Sequence, residues 1–188
     1  MSNKWALFGG VSVVGLVLDQ ITKIWIRNNI ERGYDGITVI DGFFDIVHVE
    51  NTGAAFGFLS GYSWSMYVFI PFTLIAVAML VSLMKDVPAG ARFMPITLGL
   101  INSGAFGNFI DRVLYQSVTD FLRLYLENGA LADWVYGQFG TREYPSFNIA
   151  DICICVGVAM FVGHELWVWK QQRDNPPEDA QDAGAEAA

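Results

Sequence analysis

The stretch Asn148–Trp169, NIADICICVGVAMFVGHELWVW, decides the fold. It is long and apolar enough to cross a bilayer, which takes about 20 residues at the helical rise. Yet it carries a carboxylate, Asp151, at its mouth. Three further stretches have the same length and character: Trp5–Ile26, Trp64–Met84 and Phe93–Tyr115. Five of the six tryptophans, Trp5, Trp25, Trp64, Trp167 and Trp169, fall at the ends of these spans, where an amphipathic indole prefers the headgroup layer. The first span is too long for a cleaved signal peptide, ends in DQITK and lacks a small-residue cleavage site, so it is expected to be retained.

Composition agrees. Of 188 residues, 53% are hydrophobic and 14% aromatic, with a mean hydropathy of +0.37, too apolar for a soluble domain with an ordinary polar surface. The net charge of −8 includes Asp174, Glu178, Asp179, Asp182 and Glu186, all in the segment DNPPEDAQDAGAEAA; without those five it is −3. Residues 174–188 read as a disordered acidic tail behind a single membrane domain over 1–173. No basic stripe asks for a nucleic-acid partner. The expected fold is an all-α membrane protein of four spans with a small extracytoplasmic β-element.

The charge balance of the connections decides orientation weakly, but the short connection KDVPAGAR has a cation at each end, as cytoplasmic turns often do. Both termini would then be cytoplasmic, with the long connections 27–63 and 116–147 outside. In the first of these, FDIVHVE alternates apolar and polar residues after Asp41-Gly42, a two-residue hairpin signal. NTGAAFG reads as a tight turn in which Gly53 and Gly57 supply backbone freedom. The second connection, Leu122–Ser146, is rich in aromatics and glycine, which suits a lid resting on the headgroup layer above a site.

Polar residues inside the spans carry the functional signal, because an ionisable group there costs at least about 2.5 kcal/mol by insertion scales. Asp19 and Lys23 are four apart and stack as an ion pair; Asn108, Asp111 and Arg112 share a face of the third span; Asn148 and Asp151 share a face of the fourth. Gly99, Ser103 and Gly107 form a small-residue stripe for close helix packing. The second span, Trp64–Met84, has no ionisable residue and reads as scaffold. Because alternate spans run in opposite directions, the polar groups converge at the outer interface, where Asp120 follows in SVTDF. Asp111 has a ready charge partner in its neighbour Arg112.

The residue types narrow the chemistry. His48 and His164 lie away from the cluster and read as surface or interfacial residues, and no metal-ligand spacing or cofactor motif is present. Cys153 and Cys155 point to different helix faces and cannot pair. No Ser has an evident His partner. Carboxylates remain, and two sharing a proton can activate water and protonate a leaving amine. The competing class is an ion- or proton-coupled transporter, since intramembrane Asp, Lys and Arg also mark ion pathways. Against it, the inner half of the spans is nearly apolar, so no path continues across.

DQITK at Asp19–Lys23, NTGAAF at Asn51–Phe56, GNFIDR at Gly107–Arg112, VTDF at Val118–Phe121 and FNIAD at Phe147–Asp151 together resemble the ordered motifs of the lipoprotein signal peptidases, the type II signal peptidases of bacteria. The resemblance implies an intramembrane aspartyl peptidase of the cytoplasmic (inner) membrane, monomeric and without cofactor, that cuts prolipoproteins before their diacylglyceryl-modified cysteine. It implies a catalytic pair of Asp120 and Asp151, with Asn51, Gly53, Asn108, Arg112 and Asn148 binding substrate or bracing the site, and Asp19, Lys23 and Asp111 supporting it; Asp111 is the main rival for the catalytic role. Two departures stand out: the segment between the two aspartates is longer than the family usually has, and Thr119 replaces a residue that is commonly apolar.

Overall fold

The computed structural model describes residues 3–53 and 65–174. Along the chain run α1 (Asn3–Asn29), β1 (Gly33–Ile40), β2 (Phe44–Asn51), α2 (Ser65–Asp86), α3 (Phe93–Tyr115), β3 (Val118–Tyr125), α4 (Ala130–Phe139), β4 (Glu143–Phe147) and α5 (Ile149–Asp174). Helices α1, α2, α3 and α5 are long and apolar enough to cross a membrane; each overlaps one expected span, α5 running on to Asp174. The readings at Gly57, at Trp64 and in the tail from residue 175 lie outside the described residues.

Helix α3 is central. Half of its most apolar window is buried inside the protein, against 11–22% for the other three spans, which present most of their apolar surface outward. Its small residues make this possible. A Cβ added at Gly107 would lie 2.4 Å from Asp19 Oδ2 of α1, and one at Gly104 would lie 2.2 Å from the Ala150 carbonyl oxygen of α5. Glycine at these points lets the backbones approach. The expected stripe is therefore the α1 interface, and Gly104, one residue round the helix, serves α5.

At one end of the bundle Phe8, Leu80, Met84, Val87 and Leu98 form an apolar cluster. There the Lys4 ammonium donates to the carbonyls of Lys85, at 3.0 Å, and Val87, a cation set at the C-terminus of α2 where the helix dipole favours it. At the other end Ile26, Ile30 and Phe121 pack beneath an antiparallel sheet of order β1-β2-β3-β4.

The sheet is larger than the hairpin read from sequence, because the second long connection supplies β3 and β4. The hairpin also differs in length: Ile40 pairs with Phe44, so Asp41–Phe43 form a three-residue turn, with Gly42 left-handed at φ 70°, in place of a two-residue Asp-Gly turn. Two short connections fix the sheet to the bundle. Gln116, left-handed at φ 60°, closes α3 by donating its backbone N–H to Arg112 O, and β3 starts two residues on. Asn148 alone separates β4 from α5.

Gly104→Val is expected to pry α3 from α5, since its side chain meets backbone that cannot rotate away. Overpacking of this kind costs about 1–3 kcal/mol. Thermal unfolding in detergent should show a lowered midpoint, and an unchanged midpoint would contradict the close approach.

Candidate functional site

Lys23 is the point from which the polar cluster is built. Its ammonium is fully buried and donates to Asn108 Oδ1 at 2.9 Å, while pairing with Asp19 Oδ2 at 2.9 Å and Asp111 Oδ2 at 3.3 Å. Three acceptors meet the three N–H groups of an ammonium. The other oxygen of Asp19 accepts the backbone N–H of Ala150 at 2.9 Å, at the start of α5. Asp111 accepts from Arg27 Nη1 at 3.3 Å and, through Oδ2, from the backbone N–H of Thr119 at 3.0 Å. One ammonium thus ties α1 to the end of α3, the start of β3 and the start of α5.

Asn148 is the cap of α5. Its Oδ1 accepts the Asp151 N–H at 3.0 Å, its own N–H donates to Asp151 Oδ2 at 3.1 Å, and its carbonyl accepts the Ile152 N–H. This is a reciprocal capping box with Asp at the third position, and a carboxylate in the first turn is also favoured by the helix dipole. Local helix chemistry therefore stabilises the Asp151 charge at the mouth of an apolar span.

The same asparagine joins a second carboxylate. Asn148 Nδ2 donates to Asp120 Oδ1 at 2.7 Å and to Asn108 Oδ1 at 3.1 Å. Asn51 Nδ2, from the end of β2, donates to Asp120 Oδ2 at 3.0 Å, and Asn51 Oδ1 accepts from the Gly53 N–H at 2.9 Å. Asn108 Nδ2 donates to Asp151 Oδ1 at 2.8 Å. Asp120 is buried and Asp151 half-buried. Burial, and then the Asp151 charge, push the Asp120 carboxyl up from its ordinary range to about 7, against the opposing hydrogen bonds from Asn51 and Asn148.

The ten residues expected at the site lie in this network, but not every expected pairing does. Arg112 is not the partner of Asp111, because adjacent residues on a helix do not face each other. Its guanidinium donates instead to the carbonyls of Asn108 and Gly53, each at 3.3 Å, and lies 4.8 Å from the ring centroid of Phe69. Helix α2 therefore touches the site, beyond the scaffold role read for it. His48 is buried, not at the surface, and donates from Nδ1 to Ile30 O at 2.9 Å.

Sequence reasoning missed Arg27, Gln20 and the role of Thr119. Arg27 Nη1 donates to Thr119 Oγ1 at 2.8 Å, with its guanidinium 4.2 Å from the Tyr115 ring centroid. Its signal was available, since Asp19, Lys23 and Arg27 recur every four residues on one helix face. Thr119 places its hydroxyl where that arginine needs an acceptor. Gln20 Nε2 bridges Asp19 Oδ2 and Gly107 O at 3.1 and 3.2 Å.

Asp111→Asn is expected to reduce the amount of folded protein, since it removes the charge that Lys23 and Arg27 share in a buried place; breaking a buried pair costs about 3–5 kcal/mol. Fluorescence-detected size exclusion in detergent would read it, and a wild-type yield of monodisperse protein would contradict the assignment.

Known proteins resemble this chain over most of its length. A family model described as signal peptidase (SPase) II matches residues 11–167. A lipoprotein signal peptidase of Maridesulfovibrio salexigens is 44% identical over 163 residues, covering 85% of this chain and 96% of the relative. One of Bacillus pumilus is 40% identical, covering 88% and 96%. Two solved bacterial membrane enzymes superpose with TM-scores of 0.70 and 0.66 at 33% and 34% identity, covering 89% and 83% of this chain and 90% of each of theirs.

Proposed function

The chain belongs to the signal peptidase II family of bacterial membrane hydrolases, and from that premise we propose that it removes signal peptides from diacylglyceryl-modified prolipoproteins with Asp120 and Asp151 as its catalytic pair. The observation that carries the reading is Asn148, which holds both carboxylates through one residue.

A shared proton lets the pair act as acid and as base. Asp120, whose carboxyl is pushed up to about 7, keeps the proton and polarises the scissile carbonyl. Asp151 takes a proton from water, and the resulting hydroxide adds to the carbonyl carbon. The tetrahedral intermediate collapses as the departing amine gains the proton that Asp151 took from water, which restores the pair and leaves the signal peptide with a new carboxyl group and the lipoprotein with a free cysteine amine. Asn51 and Asn108 hold the carboxylates in place. Arg112 and the Gly53 carbonyl, bonded to each other, stand ready to orient the substrate backbone. Asp19, Lys23 and Asp111 hold the elements on which the pair sits.

Asp120→Asn or Asp151→Asn keeps size but removes the shared proton, so each should lower turnover by a factor of about 100 or more, with substrate binding largely retained. Cleavage of a diacylglyceryl prolipoprotein by purified, folded variants reads this, and near wild-type turnover in either would sink the pair. The sign of the pH response follows from Asp120. Its proton is lost as pH rises through about 7, so turnover should fall on the alkaline side of that value.

The reading also sets the topology. Scissile bonds of exported proteins lie outside, so the sheet end should be extracytoplasmic and both termini cytoplasmic, in agreement with the cationic α2–α3 connection. A cysteine introduced at the exposed Gly90 should resist impermeant maleimide in whole cells and react after lysis. Labelling of intact cells would reverse the orientation.

A further inference from the structure

Helix α4 carries apolar surface that the site does not use. It joins the ends of β3 and β4 opposite to those bearing Asp120 and Asn148, so it is not a cover over the carboxylate pair. Leu131, Val135 and Phe139 recur every four residues as one stripe and face Leu124 and Tyr144 across a groove of about 870 Å³. The groove is open: Leu131 and Phe139 remain 62% and 71% exposed, and Trp134 beside them 59%.

The charges around this surface lean acidic, and both arginines are engaged. Arg142 Nη2 donates to Asp133 Oδ1 at 2.7 Å and Nη1 to Glu127 O at 3.0 Å, and its guanidinium lies 5.7 Å from the Tyr136 ring centroid. Arg123 pairs with Asp45 and Glu143. The face is thus apolar and aromatic, with two arginines set among the acids Asp45, Glu127, Asp133 and Glu143 at its rim. At ten residues, or about 15 Å, α4 is too short to span a bilayer.

We infer that α4 and its groove dock on the interfacial layer of the bilayer that holds the four spans, with lipid chains entering between helix and sheet. Continuity supports this occupant. The outward-facing Val113, Leu114 and Tyr115 end the lipid-exposed surface of α3, β3 starts three residues later, and α4 follows at its far end. Trp and Tyr with aliphatic residues on a short amphipathic helix are the composition that prefers the headgroup boundary, and with both rim arginines already engaged by acids the docking does not call on anionic lipid. Docking there holds the outer ends of both strands that lead to Asp120 and Asn148, and so fixes the height of the pair.

The test reads depth rather than turnover, so its failure leaves the peptidase reading standing. Full-length protein with Cys153→Ala and Cys155→Ala takes a nitroxide at Leu131→Cys or, separately, Phe139→Cys, in phosphatidylcholine nanodiscs. Val13→Cys, on the exposed face of α1, and Gly90→Cys serve as lipid and water references. The ratio of collisions with oxygen to collisions with a water-soluble nickel chelate should exceed that at Gly90 by about fivefold or more, toward the Val13 value, and should not change when anionic lipid is added. Nickel access equal to Gly90 overturns the docking, as does protection only with anionic lipid. Spin–spin broadening that vanishes on dilution with unlabelled protein would assign the face to a second copy and overturn it too.

Discussion

The buried ammonium of Lys23 is the constraint on which the rest of the site depends. An ion of that size taken from water without partners costs several kcal/mol, and here three oxygens surround it. Each belongs to a residue that also bonds elsewhere. Asp19 receives the first turn of α5, Asp111 the start of β3, and Asn108 donates to Asp151. The charge that makes α1 expensive in a membrane is therefore what fixes the relative position of three other elements. A hydrophobic residue at Lys23 would leave two carboxylates facing each other.

Stability and chemistry coincide at Asn148 but oppose each other at Asp120. The capping box would stabilise α5 in any setting, and its carboxylate happens to be the one that faces the half-open side of the site. Asp120 has no such local support. It sits in a strand paired with Val49 of β2, buried, beside a second carboxylate, and both push its carboxyl up from the ordinary range. Two asparagine amides limit that cost without neutralising the acid, as a site needs if it is to keep a proton that it can also release.

The four spans were legible because hydropathy over about 20 residues is a one-dimensional property and tryptophans marked most of their ends. The converging cluster was legible because three- and four-residue spacing puts side chains on one face. Pairing across elements was not. Adjacency points from Asp111 to Arg112, whereas α1 supplies the true partners, from 84 residues away in the case of Arg27. Strands β3 and β4 and helix α4 were hidden for a different reason: each is ten residues or fewer, and β4 contains Pro145, which reads as a breaker yet is tolerated on an edge strand.

Charge balance explains why the cluster can be both buried and reactive. Asp19 and Asp111 are offset by Lys23 and Arg27. Arg112 then stands within electrostatic reach of Asp120 and Asp151. With both of these ionised the assembly holds one acid in excess, and with both protonated one cation in excess. A single proton on the pair makes the whole set neutral, and neutrality is what a low-dielectric setting favours most. The protonation state that the proposed hydrolysis requires is thus also the state in which this arrangement is least costly to bury. Arg112 secures it by its charge while spending its hydrogen bonds on the backbone of Asn108 and Gly53, so neither carboxylate is locked in an ion pair that would silence it.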